Sequence, residues 1–550
     1  MFPSRFYLCL LCVGGFSTLT IAAEDRPNIL LIMVDDMGFS DIAPYGGEID
    51  TPNLDKLAKN GLRFTQFYNS GRCCPTRATL LTGLHPHQVG IGHMTGENRG
   101  QDADIPAAYA GNINNSCVTL AQVAKSAGYA TFMAGKWHLA GNDQADWPLQ
   151  RGFDQYYGCI AGATHHFEPY DWRIMYNGNN ADPMPQSTSD RPFYTTDAFA
   201  DHAIGYLNEH FEQGAEAPPF FLYLAFTAPH WPLHAHDEEL DKYAGKYAGG
   251  WDQAREERYH RQIASGLIPA SWSLSPRDPD VPAWDSLDEM QQQKSAPLMS
   301  AFAAMVDRID QKIGDVIQTL ENHHALDNTL ILFLSDNGGC AEASLMGTGD
   351  PVTDRAPNTP LTKPSYGKAW ANVSNTPYRL FKHFAHQGGT NTPFIAHWPQ
   401  RIEKGRDWFR EPAQLIDIMA TLVDVTGARY PSEFGGQKIL PLDGVSLVPA
   451  FEGNSLNRQQ PLFIEHENNA FVRNNEWKLV GRGVSPPAGL KQQQWELYKI
   501  VEDGTELNNL ASEYPEKVKE LSDQWQAWAA RVGVYPKPQR RRAAAQNESE

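Results

Sequence analysis

The sequence predicts a large α/β domain whose mostly parallel central sheet is flanked by helices, followed by a small C-terminal α+β unit with an antiparallel sheet. Two observations lead there. Continuous apolar runs of strand length, rich in β-branched and aromatic residues, alternate with helix-period stretches, the pattern of strands buried on both faces. At 550 residues, 41% of them hydrophobic and 20% charged, the chain is long and apolar enough for an extensive core and is not a disordered polymer.

Taken in order, residues 1–23 read as a secretory signal. Arg5 supplies the positive end, FYLCLLCVGGFSTLTI the apolar stretch and Ala22-Ala23 the small-residue cleavage site. The apolar stretch holds two glycines and falls short of the ~20 residues of a membrane span. The expected protein is exported, periplasmic or secreted, with no stable membrane anchor. The clearest strands are NILLIMV (28–34), ATFMAG (130–135), FFLYLAF (220–226) and TLILFLS (329–335). Helix-period stretches cover 52–60, 117–127, 196–213, 297–323 and 413–426. Residues 231–296 and 339–380 lack periodicity and read as long rims of a functional face. A break near 453–461 divides a catalytic domain, 24–455, from a C-terminal unit, 456–535. Within that unit PLFIEHEN, AFVRNNEWKLVGR and QWELYKI read as antiparallel strands and EYPEKVKELSDQWQAWAARV as a closing helix. Residues 536–550 read as a disordered tail.

The formal net charge of −19, with no basic block in the body of the chain, disfavours nucleic acid and anionic membranes as partners. An anionic substrate must then be held by a local cluster of cations. Cys9 and Cys12 leave with the leader. The remaining Cys73, Cys74, Cys117, Cys159 and Cys340 are odd in number, so one cysteine of this exported chain has a separate fate. They are too few for a disulfide scaffold.

The apolar strands end in reactive residues. The first runs into Asp35-Asp36, the fourth into Asp336-Asn337, the second into Lys136-Trp137-His138, and the third leads through Thr-Ala-Pro to His230. Ligands of open parallel sheets bind beyond the carboxyl ends of the strands, so four strands deliver carboxylates, a lysine and two histidines to one edge. Either Asp pair alone is an ordinary turn or helix cap, and a lone Lys136, His138 or His230 is ordinarily a surface group. Their convergence is what carries weight. Three carboxylates and an amide oxygen are a hard donor set suited to Ca²⁺ or Mg²⁺ rather than zinc. In SGRCCPTRATLLTG (70–83), Pro75 fits the first turn of a helix that stops at Gly83. Cys73 is expected just before that helix, where an anion is stabilised, with Arg77 one turn on. By itself Cys73 is either a buried structural thiol or a low-pKa nucleophile.

The run Cys73-Cys74-Pro75-Thr76-Arg77 matches the C-x-P-S/T-R signature of the type I, formylglycine-dependent sulfatases. The whole mature chain resembles bacterial arylsulfatases of the alkaline phosphatase superfamily, through RPNILLIMVDDMGFSDIAPYGGEIDTPNLDKLA, GKWH, APHWP, SDNGG and FKHFAHQGGTNTPFIAHWP. The resemblance implies an alkaline-phosphatase-like fold and hydrolysis of sulfate monoesters to sulfate and an alcohol or phenol, with a sulfated carbohydrate as one natural substrate. It implies that Cys73 is oxidised to Cα-formylglycine by a formylglycine-generating enzyme, and that Asp35, Asp36, Asp336, Asn337 and residue 73 hold one calcium ion. By the same resemblance Arg77 steadies the aldehyde hydrate, Lys136 and Lys382 grip the sulfate, His138 is the base and His230 the leaving-group acid. Where the family pattern has Glu before two glycines, this chain has Gln387, which removes a charge beside the Lys382 segment. Two other readings remain open to the sequence: a phosphonate monoesterase or phosphodiesterase using the same aldehyde, and a non-catalytic binder of sulfated glycans.

Overall fold

The structure, a computed structural model, describes residues 26–95, 105–141, 143–169, 173–183, 185–186, 191–353, 363–486 and 494–538. The leader read at 1–23, and the tail from 539 on, lie outside the described residues. Among the described residues, no helix is long and apolar enough to cross a membrane.

The main sheet has ten strands. In chain order they are β1 (Asn28–Val34), β2 (Leu62–Tyr68), β3 (Ala130–Lys136), β4 (Gln155–Cys159), β5 (Met175–Asn177), β6 (Asn180–Asp182), β7 (Phe220–Ala225), β8 (Thr329–Ser335), β9 (Asn391–His397) and β10 (Ala413–Gln414). Their spatial order is β10-β2-β9-β8-β1-β7-β3-β4-β5-β6. The centre, β8-β1-β7-β3-β4, is parallel throughout. β9 runs antiparallel to both β8 and β2, and β5 antiparallel to β4.

Alternation along β1 explains its continuous apolar run. Leu30, Ile32 and Val34 enter one core layer and Ile29, Leu31 and Met33 the other. Each such side chain taken out of water contributes about 1.5–3 kcal/mol. On one face lie α2 (Thr195–Phe211) and the long α3 (Glu289–Asn322); on the other lies α1 (Cys73–Thr82). Helix α3 begins eight residues before the position its apolar period suggests. Asp288 and Gln291 close a reciprocal capping box there, and Pro297, the first residue of the helix-period stretch, lies inside the helix.

The segment 231–296 is more ordered than its lack of periodicity suggests. It holds helices Asp237–Lys242 and Gly250–Ala264 as well as the start of α3. The second helix is charged on most of its surface, but it buries Trp251 against Trp284 and Trp370, with ring centroids 4.6 and 5.7 Å away. It also buries Arg258 between Asp41 and Glu48, at 2.6 and 2.7 Å. A buried arginine interrupts the apolar stripe by which such a helix is recognised.

Beyond the main sheet, β11 (Leu462–His466), β12 (Asn469–Arg473), β13 (Trp477–Gly481) and β14 (Glu496–Lys499) form an antiparallel meander. Helix α4 (Pro515–Val532) covers it with Leu521, Trp525 and Trp528.

Strand β3 passes β7 so closely at Gly135 that a Cβ there would stand 1.9 Å from the Ala225 carbonyl oxygen, and φ is +120°. Gly135→Ala is expected to lower stability by about 2–4 kcal/mol, read as a fall in the urea midpoint. Gly141→Ala, in open space, should leave it unchanged.

Candidate active site

The parallel ladders extend past the strands and fix where each site residue falls. Asp35 N–H donates to Ala228 O (3.2 Å), Asp336 N–H to Val34 O (3.1 Å) and His138 N–H to Ile160 O (3.1 Å). The turns after β1 and β8 are also cross-linked. Asp36 N–H donates to Asp336 Oδ1 (3.2 Å), Met37 N–H to Ser335 Oγ (3.1 Å) and Asn337 Nδ2 to Asp36 Oδ1 (2.7 Å). The structure therefore brings Asp35, Asp36, Asp336 and Asn337 together, each at most 1% exposed.

Carboxylates so buried need partners. Lys136 Nζ lies 2.6 Å from Asp35 Oδ2, Lys382 Nζ 2.8 Å from Asp36 Oδ1, and Arg77 Nη2 2.8 Å from Asp336 Oδ2. His230 Nε2 stands 3.4 Å from Asp36 Oδ2, while its Nδ1 donates to the Trp231 carbonyl. Arg77 also donates to Lys136 O (3.1 Å) and the Tyr223 hydroxyl (3.4 Å). Burial pushes the Asp36 carboxyl up, but His230 and Lys382 outweigh it and hold it well below the usual carboxylate range. At Asp35 and Asp336 burial prevails over Lys136 and Arg77, and both carboxyls stay above their ordinary values.

Each of the three carboxylates thus faces one cation. Asp35 Oδ1 and Asn337 Oδ1 are nonetheless buried without a hydrogen-bond partner among the described residues. Unpaired oxygens among buried carboxylates fit a hard divalent cation.

Helix α1 starts at Cys73 itself, with extended Arg72 as its N-cap; Cys73 lies in the first turn rather than before it. Cys73 is 1% exposed. A hydrogen bond from Cys74, with Lys136 and His138 nearby, holds the Cys73 thiol well below its ordinary pKa against the effect of burial. Donor atoms of Cys73, Cys74 and His138 lie within 4.8 Å of one another. Burial lowers the His138 pKa to about 4, and its Nδ1 has no hydrogen-bond partner among the described residues. The five described cysteines are all free.

A cleft of about 250 Å³ opens over these groups, lined by Cys73, His138, His230 and Lys382. Its rim holds Trp147, Tyr176, Trp231 and Arg173, together with Arg72 and Glu342, which pair at 2.7 Å. The aromatic-rich segment YDWRIMYNG (170–178) reads from sequence as packing or rim; residues 170–172 lie outside the described residues, and Arg173 and Tyr176 line the cleft. Of 231–296, Trp231 borders this cleft, whereas Trp251 and Arg258 are core. Arg72, Glu342 and Tyr223 escape sequence reasoning. Arg72 reads as a surface charge, Glu342 falls in an aperiodic segment, and Tyr223 reads as an apolar strand residue.

The charge missing at Gln387 is supplied from the C-terminal unit. Gln387 N–H donates to Glu506 Oε2 (3.0 Å), and Lys478, 2.8 Å from Glu506 Oε1, donates to Gln387 Oε1 (3.3 Å). Burial lowers the Lys478 pKa to about 8.

Carboxylates, cations and histidines gathered at the carboxyl ends of a parallel sheet are the arrangement of an α/β enzyme's ligand site. The family model for sulfatases matches residues 27–428, and the chain belongs to the sulfatase family. A second model, N-sulphoglucosamine sulphohydrolase, C-terminal, matches residues 378–530. An uncharacterized sulfatase of Schizosaccharomyces pombe is 33% identical, over 94% of this chain and 96% of its own. An arylsulfatase of Klebsiella aerogenes is 34% identical, over 78% and 92%. The N-acetylgalactosamine-6-sulfatase of Homo sapiens is 26% identical, over 84% and 75%. Among solved structures, Ps i-CgsB in complex with k-i-k-neocarrahexaose shares the fold, with TM-score 0.65 and 23% identity over 92% of this chain and 93% of that one. The protein is a sulfuric ester hydrolase.

The His138 imidazole lies against Gly162, where a Cβ would stand 2.4 Å from His138 Cε1. Gly162→Ala is expected to push the ring aside; with His138 in the role of base that the family resemblance implies, kcat on an aryl sulfate should fall by about 10²-fold. Its Tm should stay close to that of the wild type.

Proposed function

We propose that this sulfatase hydrolyses sulfate monoesters of a carbohydrate, with Cα-formylglycine made from Cys73 as nucleophile and one calcium ion as metal. The observation that carries the reading is the buried oxygen set with two unpartnered oxygens, beside a depressed-pKa thiol at a helix start. Asp35, Asp36, Asp336, Asn337 and residue 73 would hold the ion, which supplies fixed positive charge against the sulfuryl oxygens. The hydrated aldehyde supplies two hydroxyls on one carbon, one to take up the sulfuryl group and one to expel it.

The remaining roles fall to the chain's own side chains. Arg77, anchored by Asp336 and Tyr223, steadies residue 73. Lys136 and Lys382 place their charges beside the sulfuryl oxygens, where charge builds up. His138, kept neutral by burial, accepts a proton from residue 73. His230, whose Nδ1–H is held by the Trp231 carbonyl, gives one from Nε2 to the departing alcohol oxygen as the imidazolium, the form that burial disfavours and the Asp36 carboxylate beside it favours. The aromatic rim of Trp147, Tyr176 and Trp231 supports a sugar as the leaving group. So do the relatives named N-acetylgalactosamine-6-sulfatase. Maturation then requires a formylglycine-generating enzyme, and the leader read at 1–23 directs the protein to the periplasm or beyond.

Mass spectrometry of the tryptic peptide 73–77 from protein made in its native host is expected to show an aldehyde in place of the first thiol. Two intact cysteines in a fully active enzyme would overturn the proposal. Cys73→Ser, in a host that does not oxidise serine, should lose turnover by at least about 10³-fold on a small aryl sulfate, in line with removal of other catalytic nucleophiles. Chelation of calcium should abolish turnover and lower Tm, with Ca²⁺ restoring both; activity indifferent to the chelator would refute the calcium assignment.

A further inference from the structure

A second group of metal-ligating side chains lies outside the sites above. His383 follows Lys382 in the chain, and it meets His466 and Glu467 where the β11–β12 hairpin turns against that segment. His383 Nδ1 is 3.1 Å from Glu467 Oε2, and His466 Nε2 is 3.8 Å from Glu467 Oε1. One nitrogen of each imidazole and one oxygen of Glu467 lie within 4.8 Å of one another. His466 is 1% exposed, yet neither of its ring nitrogens makes a hydrogen bond among the described residues. A buried imidazole with two unpartnered nitrogens calls for an explanation.

We propose that His383, His466 and Glu467 bind a divalent transition ion of the zinc type, at a site separate from the oxygen set at the strand ends. Two imidazoles and one carboxylate are a borderline donor set. Zn²⁺ takes such a set readily, whereas Ca²⁺ prefers oxygen alone. The chain holds the ligands in position. Asn469 Nδ2 donates to the carbonyls of His383 and His466, at 3.2 and 3.3 Å, and His383 N–H donates to Gly71 O at 2.7 Å. His383 and Glu467 line a second cleft, of about 840 Å³, which shares Arg72, Glu342 and Lys382 with the first. Three protein ligands would leave a bound ion room for a water or a hydroxyl of a bound molecule as a further ligand. Arg72 faces the cluster as a cation, with its charge paired to Glu342 at 2.7 Å. An ion here would tie the C-terminal hairpin to the segment that carries Lys382.

The test is uptake of Co²⁺ and Zn²⁺ by the full chain in saturating Ca²⁺, followed by calorimetry and by the cobalt absorption spectrum. The readout is metal binding, so it stands whether or not the formylglycine reading fails. The wild type is expected to take up one Co²⁺ ion with nitrogen and oxygen ligation, displaced by Zn²⁺, and to show no thiolate charge-transfer band. Glu467→Gln and His466→Ala should each weaken Zn²⁺ binding by at least about tenfold, and Cys73→Ser should leave it unchanged. If His466→Ala does not fold, His383→Asn takes its place beside Glu467→Gln. No Co²⁺ uptake, unchanged affinity in Glu467→Gln, or loss of binding in Cys73→Ser would each overturn the proposal.

Discussion

Three carboxylates in one pocket closed to water stay ionised only if positive charge is set among them. The catalytic face is arranged around that requirement. Lys136 comes from the end of β3, Arg77 from α1 and Lys382 from the segment before β9, and each meets one of Asp35, Asp336 and Asp36. Removing one such cation leaves a buried charge unpaired, which costs about 3–5 kcal/mol. The carboxylates therefore dictate where three distant segments must dock. Burial still keeps Asp35 and Asp336 above their ordinary pKa, and Asp35 Oδ1 and Asn337 Oδ1 find no hydrogen-bond partner among the described residues, an oxygen set that suits a further cation.

Sheet geometry alone would not bring these groups together, because successive strand residues face opposite sides. Left-handed backbone redirects the chain at two of the functional residues. Asp36 leaves β1 at φ 67° and His138 leaves β3 at φ 55°. Each conformation costs of order 1–3 kcal/mol at a non-glycine residue and persists where its surroundings over-determine it. Here the constraints are the Asp36 N–H bond to Asp336 and the His138 N–H bond to Ile160.

The centre of the fold is legible in the sequence because its strands are buried on both faces. The runs at 28–34 and 329–335 coincide with β1 and β8, and their last residues point to the site. The flank is harder to read. LRFTQFY and NTPFIAH carry polar residues that a parallel core strand would lack, and their pairing, β2 with β9, is antiparallel and more than 300 residues apart. Helix 250–264 was hidden by its charged surface and by Arg258, which is apolar in environment but not in chemistry. Asp35, Asp36, Asp336 and Asn337 show themselves by position at strand ends. Arg72 and Glu342 do not, because a surface charge and a rim charge look alike without a partner in view. Glu506 is invisible for the same reason: it faces Gln387 from 119 residues away.

The long reach of β2 also sets the timing of events along the nascent chain. The strand that leads into Cys73 is flanked by β9 on one side and β10 on the other, and both are made hundreds of residues later. At roughly 5–20 residues per second, Cys73 leaves the ribosome roughly a quarter of a minute to a minute before its neighbours exist. For that interval the thiol sits on an unanchored segment, accessible to whatever acts on it. Once β9 and β10 arrive, the same residue is buried at the floor of the cleft, so the order of synthesis separates a period of free chemical access from the confined site of the finished fold.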